Sequence, residues 1–129
     1  MKDYAFRRVT HYKHAAAVTR VTQALADEGF GIITAVDFSQ TIKKKLNVDF
    51  GGEYQMLGAC NPQLALKVLQ ADPDVGLLLP CSVVVYEAEE GVVIAAINPR
   101  KLMVDDSNPA LTAAAEEAAE RLSRAVENA

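Results

Sequence analysis

The chain carries two cysteines, Cys60 and Cys81, and both stand where a thiol can do chemistry. Cys60 ends the mostly apolar run Gln55-Met56-Leu57-Gly58-Ala59-Cys60 and directly precedes Asn61-Pro62, a helix-opening pair. The free N–H groups and positive dipole end of a helix start stabilise a nearby thiolate. Cys81 follows Pro80 and begins the β-branched and aromatic run Ser82-Val83-Val84-Val85-Tyr86. If the two strand ends meet at one rim, the thiols approach each other, and a redox pair, a two-thiolate metal site or a nucleophile with a resolving partner all become conceivable. The spacing of 21 residues is not a CxxC motif. Free cysteine is also among the most buried residue types, so the competing reading makes both small hydrophobes at strand ends.

Other residues offer less. His11 and His14 lie three apart near a helix start, a spacing that can present a metal pair, although no HExxH pattern or neighbouring cysteine accompanies them. Glu87, Glu89 and Glu90 flank a turn and read as solvated. Asp105-Asp106 is a two-carboxylate loop that suits a hard cation only in principle. Lys43-Lys44-Lys45 closes a helix, where cations favour the negative dipole end, with anion binding as the minor alternative. Gly51-Gly52 is too little for a phosphate cradle. The chain has no GxGxxG, P-loop or GxSxG pattern, which leaves nucleotide binding and serine-hydrolase chemistry without a foothold.

The elements that must position the cysteines follow from local signals. Asn61 is an N-cap and Pro62 fits the first helical position, since its missing N–H has no partner there. The helix it opens is expected to bury Leu64, Ala65, Val68 and Leu69 and to end near Ala71, before Pro73. Leu77-Leu78-Leu79 reads as a buried extended segment, and Pro80 sits at a strand start, where a lost ladder donor costs least. Cys81–Glu87 and Val92–Ile97, joined through Glu89-Glu90-Gly91, must pair antiparallel.

Upstream, Tyr4–Val9 reads as an edge strand, and Ala15–Asp27 as a helix with Val18, Val21 and Leu25 on one face, Gly29 as terminator and Phe30 folded over its last turn. Gly31–Val36 reads as a strand. Asp37 caps a short helix in a capping-box pattern with Gln40, and Phe38, Ile42 and Leu46 are expected to form its buried face. Asn108-Pro109 repeats the cap-and-proline start and opens a helix to residue 128. That helix should bury Leu111, Ala115, Ala118, Leu122 and Val126, with Glu117–Arg121 and Glu120–Arg124 as ion pairs.

This order of elements, with direct hairpin pairing of the last two strands, predicts an α+β two-layer sandwich: a mostly antiparallel sheet with helices on one face. The 129 residues are expected to form one domain, half of them hydrophobic and only 6% aromatic, so its core should be aliphatic. A formal charge of −4 argues against a nucleic-acid partner, which requires a basic footprint. The start lacks a signal-peptide h-region and no run approaches a membrane span, so the expectation is a cytoplasmic protein without a membrane partner, its cysteines held as thiols.

Four phrases then become recognisable: Glu28-Gly29-Phe30-Gly31-Ile32, Thr41-Ile42-Lys43-Lys44-Lys45-Leu46, Gly58-Ala59-Cys60-Asn61-Pro62, and Leu78-Leu79-Pro80-Cys81 with its valine-rich strand. They closely resemble the bacterial and archaeal family called domain of unknown function 302, over roughly residues 15 to 99, leaving the C-terminal helix, residues 109 to 128, outside. The resemblance implies a helix-grip or TATA-binding-protein-like outline and a homodimer, but no assigned activity, and the cofactor is left unknown. Ser82 departs from the family, which usually carries Asn there. The expected function is a homodimeric small-ligand or metal-binding module, not an enzyme, with Cys60, Asn61, Pro80 and Cys81 at the site. A thiol-dependent redox or nucleophilic enzyme using Cys60 with Cys81 is the first alternative. The second is a structural or interaction protein that uses its C-terminal helix.

Overall fold

The computed structural model describes residues 3–103, 105 and 107–129. Asp106 lies outside these residues, and with it half of the Asp105-Asp106 cation reading. In chain order the elements are β1 (Ala5–Thr10), α1 (His14–Asp27), β2 (Gly31–Asp37), α2 (Phe38–Leu46), β3 (Tyr54–Cys60), α3 (Pro62–Ala71), β4 (Cys81–Ala88), β5 (Gly91–Ile97) and α4 (Pro109–Asn128), with short 3-10 turns at Pro73–Leu78 and Pro99–Lys101. The strands form one antiparallel sheet in the order β1-β5-β4-β3-β2. This is the expected α+β sandwich, with the strand that begins at Cys81 in its centre.

Local chemistry starts the elements where the capping signals place them. The Asn61 side chain accepts from the Leu64 N–H at 3.2 Å, and Asn108 does the same for Leu111 at 3.2 Å. Asp37 accepts from Gln40 N–H at 3.0 Å, and the Ser39 hydroxyl also donates to it. These bonds hold the Asp37 carboxyl below its ordinary range, the Ser39 contribution being the larger. Gly29, at φ +86°, supplies the left-handed residue that ends α1 and lets Phe30 turn back into the core.

One face of the sheet carries the core. Leu57 and Ala59 of β3, Cys81, Val83 and Val85 of β4 and Ile94 of β5 pack against Val21 and Leu25 of α1, Leu64 and Val68 of α3, and Leu111 and Leu122 of α4. Along β4 the buried odd positions alternate with Ser82, Val84 and Tyr86, which are not buried, as one-sided coverage requires. At the end of α4, the Arg8 guanidinium donates to the carbonyls of Glu127, Val126 and Ala129, placing a cation at the negative helix end.

Several expectations are corrected. No residue of α2 is buried: Phe38, Ile42 and Leu46 share a stripe, but Ile42 is only half-buried, Phe38 touches the chain through Tyr54 and Leu46 is 69% exposed. Leu77 and Leu78 are not a buried extended segment but the end of a 3-10 turn, with Leu77 88% exposed, because Pro73 and the Asp72 cap set helical geometry there. Leu69 is also exposed, α3 being covered only along Leu64 and Val68. Glu117 pairs with Arg121 as expected, at 3.1 Å, whereas Arg124 reaches across to Glu28 at 2.9 Å rather than back to Glu120. Glu87, Glu89 and Glu90 are exposed as expected, and two of them also hold partners, Glu87 accepting from the Glu53 N–H at 2.7 Å and Glu90 pairing with Arg7 at 3.0 Å.

Candidate functional site

Because β3 and β4 run antiparallel with Ala59 opposite Cys81, the end of one strand and the start of the other share one rim of the sheet. The N-terminus of α3 springs from the same rim, since Asn61 follows Cys60 directly. Between them lies a cavity of about 370 Å³. All four residues singled out from the sequence, Cys60, Asn61, Pro80 and Cys81, line it. The remaining wall is almost entirely hydrocarbon: Phe30 and Ile33 from the β2 end, Leu64 and Val68 from α3, and Met103 and Ala118 from the C-terminal segment.

Pro80 is held by shape. Gly58 faces it with no side chain, and a Cβ there would stand 2.7 Å from the proline Cγ and 2.5 Å from Thr34 Cγ2. Glycine inside a strand marks such a close approach, and this one seats the proline that begins the β4 wall.

The two thiols differ. Cys81 is buried, only 6% exposed, and burial, reinforced by the nearness of Cys60, pushes its thiol up to about 11. Burial disfavours the charged form, so Cys81 is a neutral wall residue at physiological pH. Cys60 is half-buried. Both cysteines are free. Cys81 shares its sheet face with its partner Ala59, and Cys60, the next residue along β3, closes the strand at the same cavity.

Alkylation of the folded protein near neutral pH is therefore expected to stop at one equivalent, on Cys60, with Cys81 reacting only on denaturation or towards its raised pKa. The same shift sets a pH dependence. Because the folded pKa is raised, the neutral Cys81 thiol stabilises the fold fully below its ordinary value of 9.0, and this is lost as pH climbs towards about 11. The loss is on the order of 2–3 kcal/mol. Urea midpoints measured from neutral to alkaline pH should fall less in Cys81→Ala, relative to that variant's own neutral value, than in the native chain. Equal labelling of both thiols in the folded state would contradict this assignment.

The histidines do not join the cysteines. His14 Nε2 donates to the Val85 carbonyl at 2.9 Å, and His11 is exposed. Among the described residues no group of three or more His, Cys, Asp or Glu gathers in metal-binding fashion. No helix among the described residues is long and apolar enough to cross a membrane.

Sequence reasoning missed Ile33, Met103 and Ala118. They reach the cavity from elements far along the chain, and no local pattern marks them. Gly58 did carry a signal, as a glycine inside a strand, but its partners Thr34 and Pro80 are defined only by the sheet register.

A model of the family described as "Domain of unknown function DUF302" matches residues 6–129. The match takes in α4, which the resemblance carried by the central phrases leaves out. Among solved structures, the crystal structure of an uncharacterized conserved protein DUF302 from Bacillus stearothermophilus is 27% identical, covers 98% of each chain and superposes with a TM-score of 0.90. The search of curated proteins found no match.

Proposed function

We propose that this chain, which belongs to the DUF302 family, is a cytoplasmic, homodimeric binding module that holds a small, largely apolar molecule at the Cys60–Cys81 rim. The observation that carries this reading is the cavity itself, about 370 Å³ in volume and walled by aliphatic side chains around Cys60, Asn61, Pro80 and Cys81. That volume falls in the range of small-molecule sites, roughly 300–1,000 Å³. An apolar ligand gains free energy there by removing hydrocarbon surface from water. Orientation would come from the few polar atoms. The Asn61 side-chain oxygen is occupied by the Leu64 N–H, so its amide N–H group is the directional donor left to a ligand.

A metal held by Cys60 and Cys81 alone would need ligands from elsewhere and would have to draw a proton from the buried Cys81 thiol. A thiol-enzyme reading finds its support in Cys60 only, which is half-buried beside a helix start. Cys81 is poorly suited as its resolving partner, being buried and neutral.

Native mass spectrometry of the protein purified from cells, paired with iodoacetamide labelling, tests the reading. A small molecule should travel with the protein, and Cys60 should become faster to label once it is removed. Ala65→Phe, which fills the cavity from α3, should abolish the passenger and leave the fold intact. Bare protein in every preparation, with Cys60 labelling at one rate in the native chain and in Ala65→Phe, would overturn it.

A further inference from the structure

The core cluster lies where α1, α3 and α4 pack on one face of the sheet. Among the described residues, Val84, Met56 and Ala95 of the opposite face stand outside that cluster, and α2 meets this face at its β3 margin, where Phe38 packs edge-on against Tyr54. The register lines that face up in a cross-strand row, Arg7–Ala95–Val84–Met56–Val36, flanked by a second row in which Val93 is already fully buried and Tyr86 and Tyr54 are half-buried. A sheet face meant for water alternates to polar residues. This one carries a single charge in those rows, and that charge is already paired: Arg7 donates to Glu90 at 3.0 Å. Val84, at the middle of the central strand, is only half-buried. At the margin, Tyr54 stacks on Tyr86 with centroids 5.1 Å apart and meets Phe38 and Phe50 edge-on, so the face continues into the uncovered aromatic start of α2.

From these observations we infer that the open sheet face is where two copies of this chain meet, an inference that rests on the homodimeric reading above. Five strands about 4.8 Å apart and five residues at about 3.4 Å give a face of roughly 400 Å². The exposed aromatic and aliphatic side chains of Phe38, Phe50, Tyr4 and Val9 extend it towards the roughly 800 Å² per partner of a stable interface. The occupant follows from charge. A neutral apolar face meets its own copy with no like-charge repulsion, and the two sheets stack as in a sandwich. The same face, with one paired arginine on a chain of net charge −4, lacks the cations that an anionic lipid surface or a nucleic acid would require. Closure against a second copy would also cover the α2 stripe that the protomer leaves exposed.

The experiment is the solution mass of the full chain across a concentration series, for the native protein, Val84→Lys, Ala95→Glu and the distant control Leu77→Lys. The native chain and the control are expected at twice 13.9 kDa. Val84→Lys and Ala95→Glu are expected at the single mass with a native circular-dichroism spectrum, their self-association weakened on the order of 100-fold or more by a charge buried in the interface. A readout without variants accompanies it: peroxide oxidation of Met56, slow in the dimer and faster after dilution to monomer, against buried Met103 as the internal reference. A native chain that is monomeric at every concentration would overturn the homodimeric reading and the interface with it. A native dimer that persists in both folded variants, or Met56 oxidation that ignores dissociation, would overturn the interface alone.

Discussion

Ending the chain at Asn108 is expected to leave a polypeptide without a cooperative fold. Helix α4 buries Leu111, Ala114, Ala115, Ala118, Ala119, Leu122, Ala125 and Val126, and its loss would open the helix-covered side of the core to water. The two leucines and the valine are worth about 1.5–3 kcal/mol each, and five buried alanines add several more. The sum is of the size of a whole domain's stability, about 5–15 kcal/mol. Arg8 would also lose its carbonyl partners at the end of α4, and Glu28 its two arginine contacts. A graded form of the same test is Leu122→Ala, which empties a fully buried site and should cost about 2–5 kcal/mol. Circular dichroism during urea unfolding reads both. A truncated chain that melts cooperatively near the native midpoint would show that α4 is an accessory partner surface rather than part of the core.

Gly58→Val is expected to destabilise the fold and to deform the ligand rim together. A Cβ at this position would fall 2.5 Å from Thr34 Cγ2 and 2.7 Å from Pro80 Cγ, closer than real Cβ contacts come, and valine adds two methyl groups beyond it. Thr34, on the exposed edge strand β2 where it pairs with Gly58, can give way, whereas Pro80 is a rigid ring joined to the start of β4. Overpacking of this kind costs about 1–3 kcal/mol and occasionally more. If Pro80 is the part that gives way, the cavity wall moves and Cys81 with it. The labelling rates then change: Cys81, buried in the native chain, should become alkylatable in the still-folded variant. Native stability and unchanged labelling in Gly58→Val would mean that the proline seat has no part in the site.

The sequence announced its own elements well wherever the cause was local. Asn61-Pro62 and Asn108-Pro109 open helices because a cap and an N–H-free first residue act within one turn. Asp37 and Gln40 mark α2, and the hairpin from Cys81 to Ile97 follows from two β-branched runs on a short turn. The same locality explains the errors. Phe38, Ile42 and Leu46 have the spacing of a buried stripe, but spacing states only that they share a face, not that anything lies against it. Leu77-Leu78-Leu79 reads as core by composition, yet Pro73 and Asp72 wind Leu77 and Leu78 into an exposed 3-10 turn, and only Leu79, extended, packs on the core.

By itself, then, the sequence determined the α+β class, the helix starts and the two cysteines as the residues to watch, because caps, prolines and side-chain periodicity act over a few residues. Only the tertiary structure decided that Cys60 and Cys81 flank one cavity, that their environments differ, that Gly58 seats Pro80, and that the core lies on one face of the sheet. Each of these depends on strand register and on which helices reach which face. Such contacts join residues tens of positions apart, and no short window of sequence contains both partners.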